Sequence, residues 1–450
     1  MNNKKAGSGV EQFLDWVRRR NKGQPEFLQA VAEVAHTVMP LLNERADYRE
    51  ARLLERMTEP DRIISFRVCW TDDAGRVQIN RGYRVQFNNA TGPYKGGLRF
   101  VGGLKLDTLK FLGFEQVLKN SLTNLPIGGA KGGADFSTKG RSDGEILRFC
   151  QSFMTELQRH IGALVDVPAG DIGVGEREIG YLYGQYRRVR NEFAGALSGK
   201  NVSYGGIPLR PEATGHGCVY FAKEMASARN QSLEDQVCVI SGSGNVAQYT
   251  CEKLIELGAK VVTLSDSDGF IYDKVGLTAD KLAFVKELKN KKRGRIKAYA
   301  EEYGCEFYEN QKPWAIPCDN AFPCATQNEL DDSDAQALID NGCAMVVEGA
   351  NMPVTDEARQ RFEQAGVVHA PGKAANAGGV AVSSMEMSQN AEHARWTRDE
   401  VDQNLQEVMA HIHQTCREHG EDGDGINYIK GANIAGFIRV ADAMLAQGVV

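Results

Sequence analysis

Two hydrophobic periods alternate along this chain. Between residues 26 and 42 the apolar positions Phe27, Val31, Val34, Val38 and Leu41 recur every three or four residues, which predicts one buried face of a helix. From Ile64 the period falls to two. Ile64, Phe66, Val68 and Trp70 alternate with Ser65, Arg67 and Cys69, the run Asp72-Asp-Ala-Gly75 predicts a turn, and Val77, Ile79, Tyr83, Val85 and Phe87 resume the alternation. That pattern predicts a half-buried antiparallel part of a sheet. Residues 104–122 read as a helix, and Ser142-x-x-Glu145 is a capping box opening another, with Ile146, Phe149, Phe153, Leu157 and Ile161 on its apolar face. A second capping pattern, Thr397-x-x-Glu400, precedes the amphipathic run Val401, Leu405, Val408 and Ile412, and a closing helix follows the loop at residues 420–425.

Near residues 200–210 the composition becomes loop-like, and beyond it short apolar runs alternate with helical patterns, so a domain boundary is expected there. Val237-Cys-Val-Ile-Ser241 reads as a strand, Gly242-Ser-Gly-Asn-Val-Ala247 follows, a helix runs to Leu257, and Val261-Val-Thr-Leu264 reads as a second strand. A lone glycine triplet is weak evidence, but this one lies between a strand and a helix. Gly242 permits a tight turn, Gly244 lets the backbone approach a pyrophosphate, Ala247 allows close packing, and the helix N-terminus attracts the anion. The unit therefore predicts dinucleotide binding. Later apolar runs at residues 315–322, 344–347 and 367–369 each end in a polar or glycine-rich loop, as the carboxyl ends of parallel strands that rim a ligand crevice would.

Three stretches in the first half carry candidate chemistry. Residues 126–136 set Lys131 between two glycine pairs, residues 88–100 set Lys95 in a second glycine-rich stretch, and Asp171 follows Pro-Ala-Gly in a third. All three are expected to be loops, because glycine costs entropy on ordering and is retained mainly where backbone turns or a ligand comes close. Lys119 lies three positions after Gln116 on the 104–122 helix and shares its face. Taken singly, each lysine is also what a solvated surface residue looks like, and Asp171 is also what an Asx turn looks like.

At 450 residues the chain suits two or three domains. A net charge of −6, with one basic run at residues 289–295, argues against nucleic acid as the main partner. No apolar window is long enough to cross a membrane, and the first residues lack a signal-peptide core, so a cytoplasmic address is expected. Ten cysteines without a C-x-x-C pair read as buried small hydrophobes in a reducing compartment, and no metal site is expected.

A dinucleotide unit beside three lysines and an aspartate suggests hydride transfer involving an anionic small molecule. Two lysines can hold two carboxylates while a third acts on a carbonyl. If two lysines lay about 6 Å apart at an effective dielectric near 20, repulsion of roughly 3 kcal/mol would bring one amine toward the working pH.

The stretches Gly-Pro-Tyr-Lys-Gly-Gly-Leu-Arg (92–99), Lys-Phe-Leu-Gly-Phe-Glu-Gln (110–116), Gly-Gly-Ala-Lys-Gly-Gly (128–133), Asp-Val-Pro-Ala-Gly-Asp-Ile-Gly-Val-Gly (166–175), Arg-Pro-Glu-Ala-Thr-Gly (210–215), Gly-Ser-Gly-Asn-Val-Ala (242–247), Pro-Cys-Ala-Thr-Gln-Asn-Glu-Leu (323–330), Glu-Gly-Ala-Asn-Met-Pro (348–353) and Lys-Ala-Ala-Asn-Ala-Gly-Gly-Val (373–380) together resemble the hexameric, bacterial-type glutamate dehydrogenases of the Glu/Leu/Phe/Val dehydrogenase superfamily. The resemblance covers essentially the whole chain, and a fold shared with leucine or phenylalanine dehydrogenases would not account for Lys95 and the full set at once. It implies an α/β protein of two domains with a cleft between them: a substrate-binding and oligomerisation domain with a mixed sheet at residues 1–204, a Rossmann-like domain at 205–427, and a C-terminal helix at 428–450 returning to the first. It implies glutamate, 2-oxoglutarate and ammonium as substrates, a homohexamer, and no nucleic-acid or membrane partner.

Position by position, the resemblance makes Lys131 the catalytic lysine and Asp171 the proton acceptor and donor. Lys95 and Ser383 would hold the γ-carboxylate, and Lys119 and Gln116 the α-carboxylate, with Gly96, Ala169, Gly170 and Val380 lining the substrate. Thr214, Gly242, Ser243, Gly244, Asn245, Val246, Ser265, Asp266, Ser267, Lys289, Asn351 and Asn376 would serve the cofactor. Asp266 and Asp268 favour the free ribose of NAD, whereas Ser265, Ser267 and the run Lys289, Lys292 and Arg293 suit a 2′-phosphate. Relatives with the same Ser-Asp-Ser segment make NADP the expected cofactor and NAD the alternative. A related amino-acid dehydrogenase, or a nucleotide-binding protein without catalysis, are the competing readings.

Overall fold

The structure is a computed structural model and describes residues 9–423 and 425–450. The opening residues read above for a targeting signal, and Asp424 in the 420–425 loop, lie outside the described residues. The chain divides into two compact units, one holding residues up to Pro208 with Ser383–Thr397 and Asn433–Val450, the other holding Leu209–Val382 and Arg398–Ala432. The passage between them at Val382 and Ser383 falls inside the helix Gly378–Ala391. Among the described residues no helix is long and apolar enough to cross a membrane.

In the first unit, the period-two segments become β1 (Arg62–Thr71) and β2 (Val77–Asn88), an antiparallel hairpin in which Thr71 faces Val77 and Arg62 faces Gln86. With β3 (Tyr94–Phe100), β4 (Gly129–Ala134) and β5 (Asp166–Gly170) they form one mixed sheet in the order β1-β2-β4-β3-β5. β4 is antiparallel to β2 and parallel to β3, and β3 is parallel to β5. One face is covered by the helix Leu106–Leu122, which packs in turn on Pro25–Glu44. Against the other face lies the helix Asp143–Leu157, and the core here gathers Trp70, Leu98, Phe100, Phe136, Phe149 and Phe153 with Leu182 and Tyr186 from the helix Glu176–Arg190. Phe136 and Phe149 stack at 3.7 Å. The capping box forms as read: Glu145 N donates to Ser142 Oγ and Ser142 N to the Glu145 carboxylate.

Two of the three glycine-rich stretches are not loops, while Asp171 does sit in a turn, which Val174 N closes by donating to Asp171 O at 2.8 Å. Gly129–Ala134 is a fully buried strand near the middle of the sheet, Lys95 lies inside β3, and Asp171 directly follows β5. The penalty of glycine in a strand is local, and tertiary packing overrides it. The covering helix lies so close that a Cβ on Gly129 would stand 2.4 Å from Val117 Cγ2, and one on Gly96 would stand 1.6 Å from the carbonyl oxygen of Ala130. Glycine is there to admit a helix and neighbouring strands, and the lysines are held by rigid backbone.

In the second unit, β6 (Val237–Ile240), β7 (Lys260–Val261), β11 (Asn320–Phe322), β12 (Met345–Val347) and β13 (Val368–Ala370) make a five-stranded, all-parallel sheet in the order β13-β12-β11-β6-β7. The helix Asn245–Glu256 connects β6 to β7, giving the expected strand–turn–helix–strand unit. The second strand of that unit breaks where the sequence predicts continuity. Only Lys260 and Val261 join the parallel sheet, while β8 (Thr263–Asp266) turns through Ser267 and Asp268 into β9 (Gly269–Tyr272) and, with β10 (Glu306–Glu309), forms a separate antiparallel sheet. An unbroken apolar run carries no record of which sheet supplies its hydrogen bonds. All ten cysteines are unpaired; Cys69 is exposed, Cys305 is partly exposed and the other eight are buried.

Candidate active site

The chemistry of the first unit centres where Lys131 in the middle of β4, Arg99 near the end of β3 and Asp171 just beyond β5 come together. Lys131 projects from β4 with 4% of its side chain exposed, and its Nζ lies 3.1 Å from Asp171 Oδ2. Arg99, near the end of β3, donates from Nε to the same oxygen at 2.7 Å. Gly97 keeps this space open: a Cβ there would stand 2.9 Å from Asp171 Cβ and 3.3 Å from Lys131 Nζ. Burial lowers the pKa of Lys131; Asp171 opposes that effect, and the guanidinium groups of Arg99 and Arg84 reinforce it. Burial would raise the carboxyl of Asp171, but the charges of Lys131 and Arg99 outweigh it and hold Asp171 well below the usual carboxylate range. The lysine–lysine repulsion expected from the sequence does not feature in this balance; burial and two arginines take its place.

Lys95 lies in β3 opposite Val167 of β5 and is 1% exposed. Its Nζ donates to Val167 O at 3.0 Å and to Ser198 Oγ at 2.7 Å. Ser198 is a polar residue that sequence reasoning missed. It is 103 residues from Lys95, and a serine between loop residues gives no sign of its partner. Gln116, on the covering helix, donates to Asn120 Oδ1 at 2.6 Å, and Asn120 donates to Lys95 O at 3.1 Å, so helix and strand are tied at the expected site. A Cβ on Gly96 would lie 3.4 Å from Gln116 Cγ, and Lys119 is buried on the same helix. Ala169 and Gly170 pair with Gly97 and Leu98 across β5 and β3. Ser383 is buried in the helix Gly378–Ala391.

In the second unit, Gly242 to Val246, Asn351 and Asn376 lie beyond the carboxyl ends of the parallel strands β6, β12 and β13, Thr214 lies on the helix Ala213–Ser227, and Ser265 to Ser267 lie at the end of the antiparallel strand β8. Gly242 takes a positive φ of 83° at the end of β6, where its N donates to Ser265 Oγ at 2.7 Å, and the helix Asn245–Glu256 starts at once. A Cβ on Gly244 would meet open space, so the backbone at this helix N-terminus is accessible to an anion. Ala247 is buried, while Ser243 O accepts from Gln248 Nε2 at 2.8 Å. Asn245 donates to Pro211 O at 2.6 Å, Thr214 Oγ1 lies where a Cβ on Gly379 would come within 2.3 Å, and Val246 packs toward Gly349. Asn376 donates from Nδ2 to Gly349 O, Ala350 O and Asn351 Oδ1, while its Oδ1 is buried without a partner. Val380 lies in the first turn of the helix Gly378–Ala391.

At the end of β8, Asp266 is saturated from within the chain. Its Oδ2 accepts from Lys289 Nζ at 2.9 Å and Ile296 N at 2.8 Å, and its Oδ1 from Asp268 N at 3.1 Å. Burial works against its charge, yet Lys289 and the backbone amides keep its pKa low. Next to it, Arg295 Nη1 donates to Ser267 Oγ at 2.7 Å and pairs with Asp268 at 3.3 Å. The orphaned Asn376 Oδ1, the glycine turn and the open helix N-terminus fit a dinucleotide, with an amide donor for the first and a pyrophosphate for the second.

The family model described as Glutamate/Leucine/Phenylalanine/Valine dehydrogenase matches residues 205–448, and that described as Glu/Leu/Phe/Val dehydrogenase, dimerisation domain, matches residues 60–188. The chain is 55% identical over 440 residues to a glutamate dehydrogenase of Bacteroides thetaiotaomicron, covering 98% of this chain and 99% of that one. It is 55% identical over 444 residues, with the same coverage, to an NADP-specific glutamate dehydrogenase of Haemophilus influenzae. A crystal structure of Plasmodium falciparum glutamate dehydrogenase matches with a TM-score of 0.95 at 51% identity, covering 98% of this chain and 95% of that one. With both halves of the chain matched by its models and relatives similar along nearly their whole length, the protein belongs to the Glu/Leu/Phe/Val dehydrogenase family.

Proposed function

We infer that this chain is an NADP-dependent glutamate dehydrogenase, an oxidoreductase that converts L-glutamate and water to 2-oxoglutarate and ammonium, and the reverse. The observation that carries the reading is the contact of Lys131 with Asp171 at 3.1 Å in a buried strand end, within a chain that matches NADP-specific glutamate dehydrogenases from end to end. Lys95, with Ser383 and Ser198, binds the γ-carboxylate; Lys119 and Gln116 bind the α-carboxylate; Gly96, Ala169, Gly170 and Val380 line the bound substrate. Lys131 polarises the 2-oxo group and assists addition and loss of water and ammonia. Asp171 takes the proton from the amino nitrogen and returns it in the other direction. When bound, NADP supplies the hydride acceptor, and its reduced form the donor. Gly242 to Val246, Thr214, Ser265, Ser267, Asn351 and Asn376 hold it, with Lys289 beside them paired to Asp266.

NADP is favoured over NAD because Asp266, the carboxylate that would otherwise read the ribose hydroxyls, is occupied by Lys289, while Ser267 carries Arg295. Substrate binding and oligomerisation fall to residues 1–204, dinucleotide binding to residues 205–427, and the helix at 428–450 returns to the first part. The assembly is a homohexamer in the cytoplasm. Ammonia- and 2-oxoglutarate-dependent loss of reduced-nicotinamide absorbance tests the activity, and its absence overturns it. Initial rates equal or greater with NADH overturn the choice of NADP. A light-scattering mass far from six chains overturns the hexamer. Lys131→Ala and Asp171→Asn are each expected to remove most turnover with cofactor binding intact.

A further inference from the structure

Building on the roles given above to Lys131 and Asp171, we propose that Arg99 is a positioning residue for the reaction: it pins Asp171 by one oxygen so that the proton is exchanged at the other. Both cations meet the same atom. Arg99 Nε is 2.7 Å and Lys131 Nζ 3.1 Å from Asp171 Oδ2, and among the described residues Oδ1 has no hydrogen-bond partner. The side chains are 13%, 4% and 18% exposed for Arg99, Lys131 and Asp171, so Oδ1 is the part of the trio left to meet a substrate.

The backbone around the aspartate is already fixed. Phe100 N donates to Ile172 O at 2.9 Å, Val174 N to Asp171 O at 2.8 Å, and Gly173 takes a φ of 75° where a Cβ would stand 2.1 Å from Phe100 O. What remains free is rotation of the carboxylate. Lys131 cannot hold it throughout the cycle, because its ammonium must turn to the substrate's 2-oxo oxygen and to the water or ammonia added or lost there, and gives up its charge whenever it donates a proton. A guanidinium stays charged throughout. In deamination, the proton leaves the substrate's amino nitrogen for Asp171 Oδ1, turning the carboxylate into the acid, and the reverse step restores it. Arg99 keeps Oδ2 in place through both states.

The charged groups facing the pair are Arg99 from β3, Lys131 from β4, and Arg84 from β2 with its partner Asp166 from β5. Removing Arg99 takes a cation from both Lys131 and Asp171, so both titrate at higher pH. The test is kcat and KM for the full-length Arg99→Met and Arg99→Lys enzymes across roughly pH 6 to 10, beside Lys131→Ala and Asp171→Asn. Arg99→Met is expected to lose kcat about a hundredfold with KM for glutamate changed far less, and its acidic limb should move to higher pH. Arg99→Lys keeps the charge and should leave that limb in place while recovering part of kcat. If Arg99→Met has the kcat and pH profile of the unaltered enzyme while Lys131→Ala and Asp171→Asn are inactive, the role of Arg99 is overturned and the catalytic pair stands. If Lys131→Ala and Asp171→Asn retain turnover, the pair itself falls. Should Arg99→Met fail to fold, an Arg99→Lys enzyme with unaltered kcat overturns the proposal, because its ammonium cannot reproduce the Nε contact.

Discussion

Arg84 on β2 reaches over two strands to Asp166 on β5. Its Nε donates to Asp166 Oδ2 at 2.8 Å and its Nη2 to Asp166 Oδ1, its Nη1 donates to the carbonyls of Gly96 and Gly97 on β3 between them, and neither side chain of the pair is exposed. The path is open because the residue opposite Arg84 on β4 is Gly132, where a Cβ would press to 3.0 Å of Arg84 Cδ. Gln86 donates to the same aspartate at 3.1 Å. The pair thus ties four strands on which Lys95, Lys131 and Asp171 depend. Taking one partner away strands a buried charge, so Arg84→Met or Asp166→Asn should cost about 3 to 5 kcal/mol in denaturant unfolding. Arg84→Met with Asp166→Leu together should cost far less than the two singly. Equal midpoints for single variants and unaltered protein would remove the pair from any structural role.

Gly97 keeps open the space between Lys131 and Asp171. A methyl group there would stand 2.9 Å from both Asp171 Cβ and Gly170 O, and backbone can give way less than a side-chain tip. Gly97→Ala is expected to reduce kcat by at least about a hundredfold, the effect of a misplacement near 1 Å. Its fold should persist, as read by circular dichroism and thermal melting. Full turnover would mean that this space is not needed.

Lys95 donates to Ser198 and is almost wholly buried. Lys95→Leu keeps the volume and removes the charge, so kcat/KM for glutamate should fall about a hundredfold or more, in line with loss of a charge-assisted contact. Ser198→Ala should cost about five- to tenfold, mainly in KM. Undiminished glutamate turnover in Lys95→Leu would favour a related dehydrogenase acting on an apolar side chain.

His413 offers a pH handle on stability away from the chemistry. Burial, helped by Arg417, depresses its pKa from 6.5 to about 4, and its ring bonds Tyr428 at 2.8 Å. A histidine neutral in the fold but protonated when unfolded gives stability that is complete above about pH 6.5 and lost as pH falls toward about 4. The loss over that window is on the order of 3 kcal/mol. His413→Phe, which keeps the ring and cannot titrate, should show a shallower fall in denaturation midpoint between about pH 6.5 and 4.5 than the unaltered chain. Parallel slopes would show that this ring does not carry the effect.

Pattern and local chemistry carried much of this protein in its sequence. The switch from period two to helical period set β1, β2 and the helices around them, the capping box at Ser142 and Glu145 formed as spelled, and the turn at Gly242 sits between strand and helix because its glycine must take a positive φ. Each of those depends on residues within a few positions of one another. What lay beyond the sequence depended on distant partners. The stretches around Lys95 and Lys131 read as loops by their glycines, but the helix Leu106–Leu122 and the strands beside them need that absence of side chains, so they are buried strands. Arg99 and Ser198 were unremarkable letters until the sheet set one beside Asp171, 72 residues on, and the other beside Lys95, 103 residues back. Asp266 and Lys289, 23 residues apart, carried no sign in the sequence that they pair with each other. Sequence fixes which groups are chemically able to act; only packing decides which are paired, which are desolvated, and which oxygen is left exposed, because charge and burial act through space and not along the chain.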